Sequence, residues 1–239
     1  MTKDFKIIDS HAHLKGQVVA KRKEASDPIE NIIEKMNHLG IEKTCLQGLS
    51  SGDNELMPRA VGKYPSRLVP FAYIDPQSSS GTEGLDKIYG IGEIYIRPGS
   101  SETPDDYLEG VLSIARKENY PVLFHTGEFS YTAPMIFREV INNNEDITFI
   151  LGHMGALIYV KDAIHLAKEY ENVYLETSGM TSKEILERAV RVCGSDKLIF
   201  GSDYPFWNPE SQIELIKSLD LDVKSKRNIF SGNIEKLIF

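Results

Sequence analysis

Six histidines stand in the chain, and four of them share a setting: His11, His13, His125 and His153 fall at or just past the end of a short apolar run. The local sequences are Ile8-Asp9-Ser10-His11-Ala12-His13, Val122-Leu123-Phe124-His125 and Leu151-Gly152-His153-Met154-Gly155. A carboxylate ends another such run, in Phe200-Gly201-Ser202-Asp203-Tyr204-Pro205. Residues two apart on a strand project to the same side, so His11 and His13 can grip one ion together. Neutral imidazoles joined by a carboxylate are the donors expected for zinc or a similar divalent metal, whose open positions would hold and activate a water. A lone His-x-His recurs by chance, and a single buried histidine is more often bonded to backbone. The weight lies in the joint placement of four histidines and one acid. His38 and His165 fall in helical segments and read as structural, His38 near a helix C-terminus where positive charge is favoured.

Glu93 and Arg97 lie in Gly90-Ile91-Gly92-Glu93-Ile94-Tyr95-Ile96-Arg97-Pro98. A Glu inside an apolar strand is costly to bury unless paired or metal-bound. Two readings stand: an ion pair with Arg97 or a helix lysine, or a ligand that could bridge two ions. Arg97 could bind a substrate carboxylate through its planar fork. Glu176 and Ser178 are minor candidates, and Glu176 reads equally as lying outside the barrel lumen. The segment 14–26 carries Lys15, Lys21, Arg22 and Lys23 and reads as a solvated loop or a charged lid. Tyr204, Phe206 and Trp207 either wall a pocket or pack under the last helix. Trp207 is taken as the substrate-binding candidate among them.

Eight apolar, β-branched runs must position these groups: residues 5–9, 43–48, 68–74, 91–96, 122–125, 148–152, 173–177 and 198–201. Most are apolar at consecutive positions, as parallel strands covered on both faces are. Helical segments separate them. Asp27-Pro28-Ile29-Glu30 combines an N-cap acceptor, Pro at the first helical position and Glu two residues on, and Gly40 can close that helix. Thr103-Pro104 and Asn208-Pro209 open two more helices, and Thr181-Ser182-Lys183-Glu184 reads as a capping box. The segment 78–90, rich in Ser and Gly, predicts one turn of helix or none. Eight strand–helix units in 239 residues without a composition break predict one domain, 1–239, folded as an α/β single (β/α)8 TIM barrel. Active groups then gather at the C-terminal end of the strands. An open doubly wound sheet is the rival, weakened by the lack of Gly-x-Gly-x-x-Gly after the first run.

Net charge is −8, which argues against a nucleic-acid surface and gives no reason to expect anionic membranes. Apolar residues make up 41% and charged residues 26%, so disorder is excluded as the dominant state. Two distant cysteines, Cys45 and Cys193, indicate no disulfide framework and favour a reducing compartment. No apolar run approaches a bilayer span and the first residues lack a signal-peptide core, so a cytoplasmic protein is expected.

Taken together, these motifs resemble the amidohydrolase superfamily, and more closely its amidohydrolase 2 group of compact metal-dependent TIM-barrel proteins. Asn228-Ile229-Phe230-Ser231-Gly232-Asn233 resembles that group's closing segment. The resemblance spans nearly the whole chain and specifies no substrate. It implies that His11, His13, His125 and Asp203 hold a divalent metal, most simply zinc, as one or two ions. His153 would be a further ligand or a catalytic histidine, and Asp203 would also accept a proton. Many superfamily members carry a modified lysine on strand four. This chain has none there, and Gly92-Glu93-Ile94 is instead similar to the strand-four Glu of TatD-like deoxyribonucleases. The leading expectation is a metal-dependent hydrolase using an activated water on a small amide, ester or lactone. The alternatives are a non-oxidative decarboxylase of the same group and a non-catalytic metal-binding protein. The expected partner is a small-molecule substrate, with a homodimer as the candidate assembly.

Overall fold

The computed structural model describes residues 5–14, 27–76, 87–94, 96 and 103–239. Eight strands run in sequence order around one sheet, all paired in parallel. They are β1 (Ile8–Ala12), β2 (Lys43–Gln47), β3 (Leu68–Ala72), β4 (Gly90–Ile94), β5 (Val122–His125), β6 (Phe149–Gly152), β7 (Val173–Glu176) and β8 (Leu198–Ile199). The short β8 is extended by the chain that follows it, which closes the ring onto β1. Ser10 N–H donates to the Phe200 carbonyl (3.0 Å), Asp203 N–H to that of His11 (2.7 Å) and His13 N–H to that of Tyr204 (2.7 Å). This is the expected (β/α)8 barrel.

The described helices are α1 (Pro28–Leu39), α2 (Ser51–Asn54), α3 (Met57–Lys63), α4 (Pro104–Glu118), α5 (Arg138–Asn143), α6 (Ala156–Glu169), α7 (Lys183–Cys193), α8 (Pro209–Ser218), α9 (Val223–Arg227) and α10 (Asn233–Ile238). Their starts follow the capping chemistry of the sequence. Asp27 accepts from Ile29 N–H, Thr103 from Asp106 N–H and Asn208 from Glu210 N–H. Gly40 closes α1 in the left-handed conformation, φ 72°. The cap of α7 lies one residue beyond the expected Thr181: Ser182 Oγ accepts from Ile185 N–H. The weak unit at 78–90 falls largely on residues 77–86, outside the described residues, as does most of the 14–26 loop. No described helix is long and apolar enough to cross a membrane.

The core has two shells. Inside the ring, Ile8, Cys45, Val69, Phe71, Leu123, Ile150 and Ile199 form one apolar cluster, plugged by Ile234 of α10. Outside it, strand residues such as Leu46, Val122, Phe124, Phe149 and Leu151 pack against the helices. Burying each large side chain contributes about 1.5–3 kcal/mol, so this filled floor anchors everything above it.

Two strands depart from simple alternation. Ile8 and Asp9 pair with Lys43 and Thr44, but Ala12 pairs with Leu46, so Ser10 and His11 together face the one position of Cys45. Likewise Ile91 pairs with Val122 and Ile94 with Phe124, so Gly92 and Glu93 together face Leu123. Cys45 and Leu123 point into the lumen. An extra residue of this kind re-aims side chains, and in both strands it turns a functional group inward: His11 and Glu93. His11 therefore lies within β1, not after the strand as the sequence suggests.

Candidate metal centre

Above the apolar floor, the C-terminal ends of the strands bring His11, His13, Glu93, His125, His153 and Asp203 together. His11 comes from β1 and His13 from just beyond it, and their Nε2 atoms lie 3.0 Å apart. Glu93 Oε2 is 3.5 Å from His11 Nε2 and 3.7 Å from His13 Nε2. Asp203 Oδ1 is 3.1 Å from His13 Nε2 and 3.8 Å from His11 Nε2. The other oxygen of Glu93, Oε1, meets His125 Nδ1 at 2.7 Å and His153 Nε2 at 3.2 Å. Glu93 thus stands between two donor groups, one with His11 and His13, the other with His125 and His153.

The partners behind the two β1 imidazoles decide where their protons sit. His11 Nδ1 faces the Glu176 carboxylate at 2.9 Å, and His13 Nδ1 faces the Gln47 carbonyl at 2.8 Å. Both partners only accept, so both Nδ1 atoms carry hydrogen and both neutral Nε2 atoms present lone pairs. Two lone pairs and two carboxylates facing one point repel unless a cation lies among them. Donors about 2.1 Å from a shared ion stand about 3.0–3.4 Å apart, the spacing found between the two Nε2 atoms. The residues therefore fit a divalent ion, backed by the outer hydrogen bonds that orient metal-binding histidines.

Without an ion, protons take its place. Burial alone would lower the pKa of His11, but the Glu93 and Glu176 carboxylates outweigh it and hold it well above the usual imidazole range. Burial also opposes protonation of His153, whose hydrogen bond and attraction to Glu93 raise its pKa. Burial would raise Glu93, yet His125 and His11 hold it well below the usual carboxylate range.

Asp203 is set by the turn after β8. It adopts a left-handed φ of 54°, which Asp tolerates better than most side chains. Asp9 secures this turn: its carboxylate accepts from Ser202 N–H (2.8 Å), Ser202 Oγ–H (2.6 Å) and His11 N–H (3.2 Å). Burial pushes the Asp9 carboxyl up to about 6 against those hydrogen bonds.

The cluster floors a cavity of about 430 Å³ walled by Phe129, Tyr131, Met180, Phe206 and Trp207. Phe206 stands edge-on to His13, with ring centroids 5.7 Å apart. Trp207 lies over Gly179, where an added Cβ would be 3.5 Å from the indole. These two aromatics are half-exposed, whereas Tyr204 is buried in the core. Arg97 lies outside the described residues, so its ion pair with Glu93 and its substrate role lie there too. His38 sits exposed in the last turn of α1, and His165 pairs with Glu169 on the outer surface at 3.3 Å.

Three groups carry more than the sequence suggests. Glu176 points into the barrel, not outside it: it is fully buried and bonded to His11. Ser178 bonds both Glu176 and His153. Asp9 is absent from the sequence candidates, although a carboxylate between Ile8 and a histidine strand end is itself a signal.

A family model described as Amidohydrolase matches residues 8–239. The chain belongs to the amidohydrolase family. A search of curated protein sequences finds no significant match. Among solved structures, an uncharacterised TIM-barrel protein from Bordetella bronchiseptica aligns with a TM-score of 0.80 at 20% identity, covering 98% of both chains. 2,6-Dihydroxybenzoate decarboxylase from Rhizobium aligns with a TM-score of 0.73 at 16% identity, again over 98% of each chain. 5-Carboxyvanillate decarboxylase from Novosphingobium aromaticivorans, complexed with manganese and 4-hydroxy-3-methoxy-5-nitrobenzoic acid, gives 0.74 at 15% identity over 99% of each chain. At such identities these likenesses establish the shared barrel.

Proposed function

We propose that this member of the amidohydrolase family is a metal-dependent non-oxidative decarboxylase of a small aromatic carboxylic acid. The observation that carries the reading is the union of a metal-type donor set and the acid Asp203 on the floor of an aromatic-walled cavity. The barrels of two named decarboxylases, one complexed with manganese and an aromatic acid, support it.

His11, His13, His125, Glu93 and Asp203 would hold the ion or ions. The imidazoles suit zinc, and the carboxylates also suit manganese. A bound divalent ion would supply Lewis-acid polarisation of the substrate's oxygens. Trp207 and Phe206, on the cavity wall, would pack against the ring of the substrate. Losing CO₂ directly from an aryl carboxylate would leave a carbanion, so a proton must reach the ring carbon first. Asp203, once protonated, donates that proton to the carbon bearing the carboxylate. The C–CO₂ bond then breaks, its electron pair restores the aromatic ring, and CO₂ leaves. Asp203 regains its proton from solvent, with His153 as the second proton-carrying group in the cavity.

The metal-dependent hydrolase expected from the sequence uses the same residues. It shares one observation with decarboxylation: Asp203 Oδ1 lies 3.1 Å from His13 Nε2, and in a hydrolase it would take a proton from an attacking water. The two readings separate in one assay. Metal-reconstituted protein is incubated with hydroxybenzoates, lactones, amides and esters, and CO₂ release and products are followed with and without chelator. Decarboxylated arene with stoichiometric CO₂, lost on chelation, is expected. Turnover only of lactones, amides or esters would overturn decarboxylation, and activity indifferent to chelator would overturn the metal role.

A further inference from the structure

Glu176 is a buried carboxylate that does not line the cavity, yet the fold makes a seat for it. Gly201 leaves it room: a Cβ there would overlap Glu176 Oε1 and come within 2.8 Å of His11 Cβ. Four donors converge on it. Oε2 accepts from His11 Nδ1 (2.9 Å), His153 N–H (3.1 Å) and Ser178 Oγ–H (2.7 Å), and Oε1 accepts from Ser178 N–H (2.5 Å).

Counting protons along this chain fixes a tautomer. A carboxylate with four donors has none to give. Ser178 has a single hydroxyl proton, and it is directed to Glu176 Oε2. Toward its other neighbour, His153 Nδ1 at 2.8 Å, Ser178 Oγ must therefore accept. Hydrogen then sits on Nδ1 of His153, and Nε2 is the nitrogen aimed at Glu93 and the cavity.

We infer that Ser178 and Glu176 are positioning residues that lock His153 in the Nδ1–H tautomer, so that Nε2 is its proton-exchanging atom in the cavity. Glu176 sets His11 in the same way, so one buried carboxylate orients a metal-side imidazole and a proton-carrying one at once. The tautomer follows from hydrogen bonds alone. Its service to catalysis rests on the reading proposed above.

Long-range ¹H–¹⁵N correlation spectra of histidine-labelled protein, metal-free and zinc-loaded, test this, with the His153 signals assigned from their loss in His153→Gln. Zinc-loaded wild-type His153 is expected as Nδ1–H and metal-free His153 with hydrogen on both nitrogens, and in zinc-loaded Ser178→Ala it should shift toward a mixture or Nε2–H. The same variant should bind zinc normally while kcat falls about 10-fold with KM little changed, the lower end of the usual cost of an outer hydrogen-bond partner. A wild-type His153 with hydrogen on Nε2 and none on Nδ1 overturns the inference, whatever the stability of the variant. So does a Ser178→Ala protein with the same His153 tautomer, or one that loses zinc, since Ser178 would then serve the metal donors instead. The spectra need no substrate, so a failure to find decarboxylation leaves the tautomer result standing.

Discussion

Replacing Glu93 with Gln removes one negative charge at nearly constant volume. That charge is buried and faces four imidazole nitrogens: His125 Nδ1 at 2.7 Å, His153 Nε2 at 3.2 Å, His11 Nε2 at 3.5 Å and His13 Nε2 at 3.7 Å. If Glu93 is a ligand, the glutamine side chain keeps a carbonyl oxygen but loses the charge that balances a divalent ion. Breaking a buried charged pair costs about 3–5 kcal/mol. At about 1.4 kcal/mol per factor of ten, metal affinity should fall roughly 10²- to 4 × 10³-fold. Competition for zinc against a fluorescent chelator at fixed pH measures this directly. Thermal melts with and without metal provide the control, because the two readings of Glu93 move them differently. A ligand role predicts that the stabilisation by added metal shrinks sharply. A purely ion-paired Glu93 predicts a lower melting temperature of the metal-free protein with metal affinity unchanged. Affinity within about threefold of wild type would refute the ligand role.

Three further outcomes are expected. Asp203→Asn should keep the fold, since Asn also tolerates the left-handed φ of 54°, and at saturating metal should retain much of the ion through its amide oxygen while turnover falls by about 10²–10⁴; near-normal single-turnover rates would remove Asp203 as the proton carrier. Metal-free protein should lose stability as pH rises above the ordinary histidine value of 6.5, because the raised pKa of His11 stabilises the fold fully only below that value and the contribution is lost through the higher folded pKa. Melts across that range should fall for metal-free protein and flatten with metal; a metal-free melting temperature that rises with pH would contradict this. Gly201→Ala should crowd Glu176 and His11, costing about 1–3 kcal/mol of stability and about 10- to 100-fold in metal affinity, and unchanged zinc binding would show that the Glu176 seat is not needed.

The barrel and most of its donors were legible because parallel strands covered on both faces read as continuous apolar runs, and a histidine or Asp at the end of such a run breaks the pattern visibly. The same property hides which face is the lumen. In β7, Val173 and Leu175 face the helices while Tyr174 and Glu176 face inward, but Val173-Tyr174-Leu175 is apolar or aromatic at every position, so alternation alone leaves Glu176 on either side. Register shifts are hidden too. Nothing in Ile8-Asp9-Ser10-His11 states that two residues share one position against Cys45, nor in Ile91-Gly92-Glu93-Ile94 that two share one against Leu123. Yet these extra residues give the site its charge balance. A regular β4 with Ile91 and Ile94 placed as they are could not also turn Glu93 to the histidines. The metal-type cluster therefore depends on two local departures from ideal strand geometry, each held on an intact apolar floor, and chemistry at this barrel's mouth is set as much by register as by residue type.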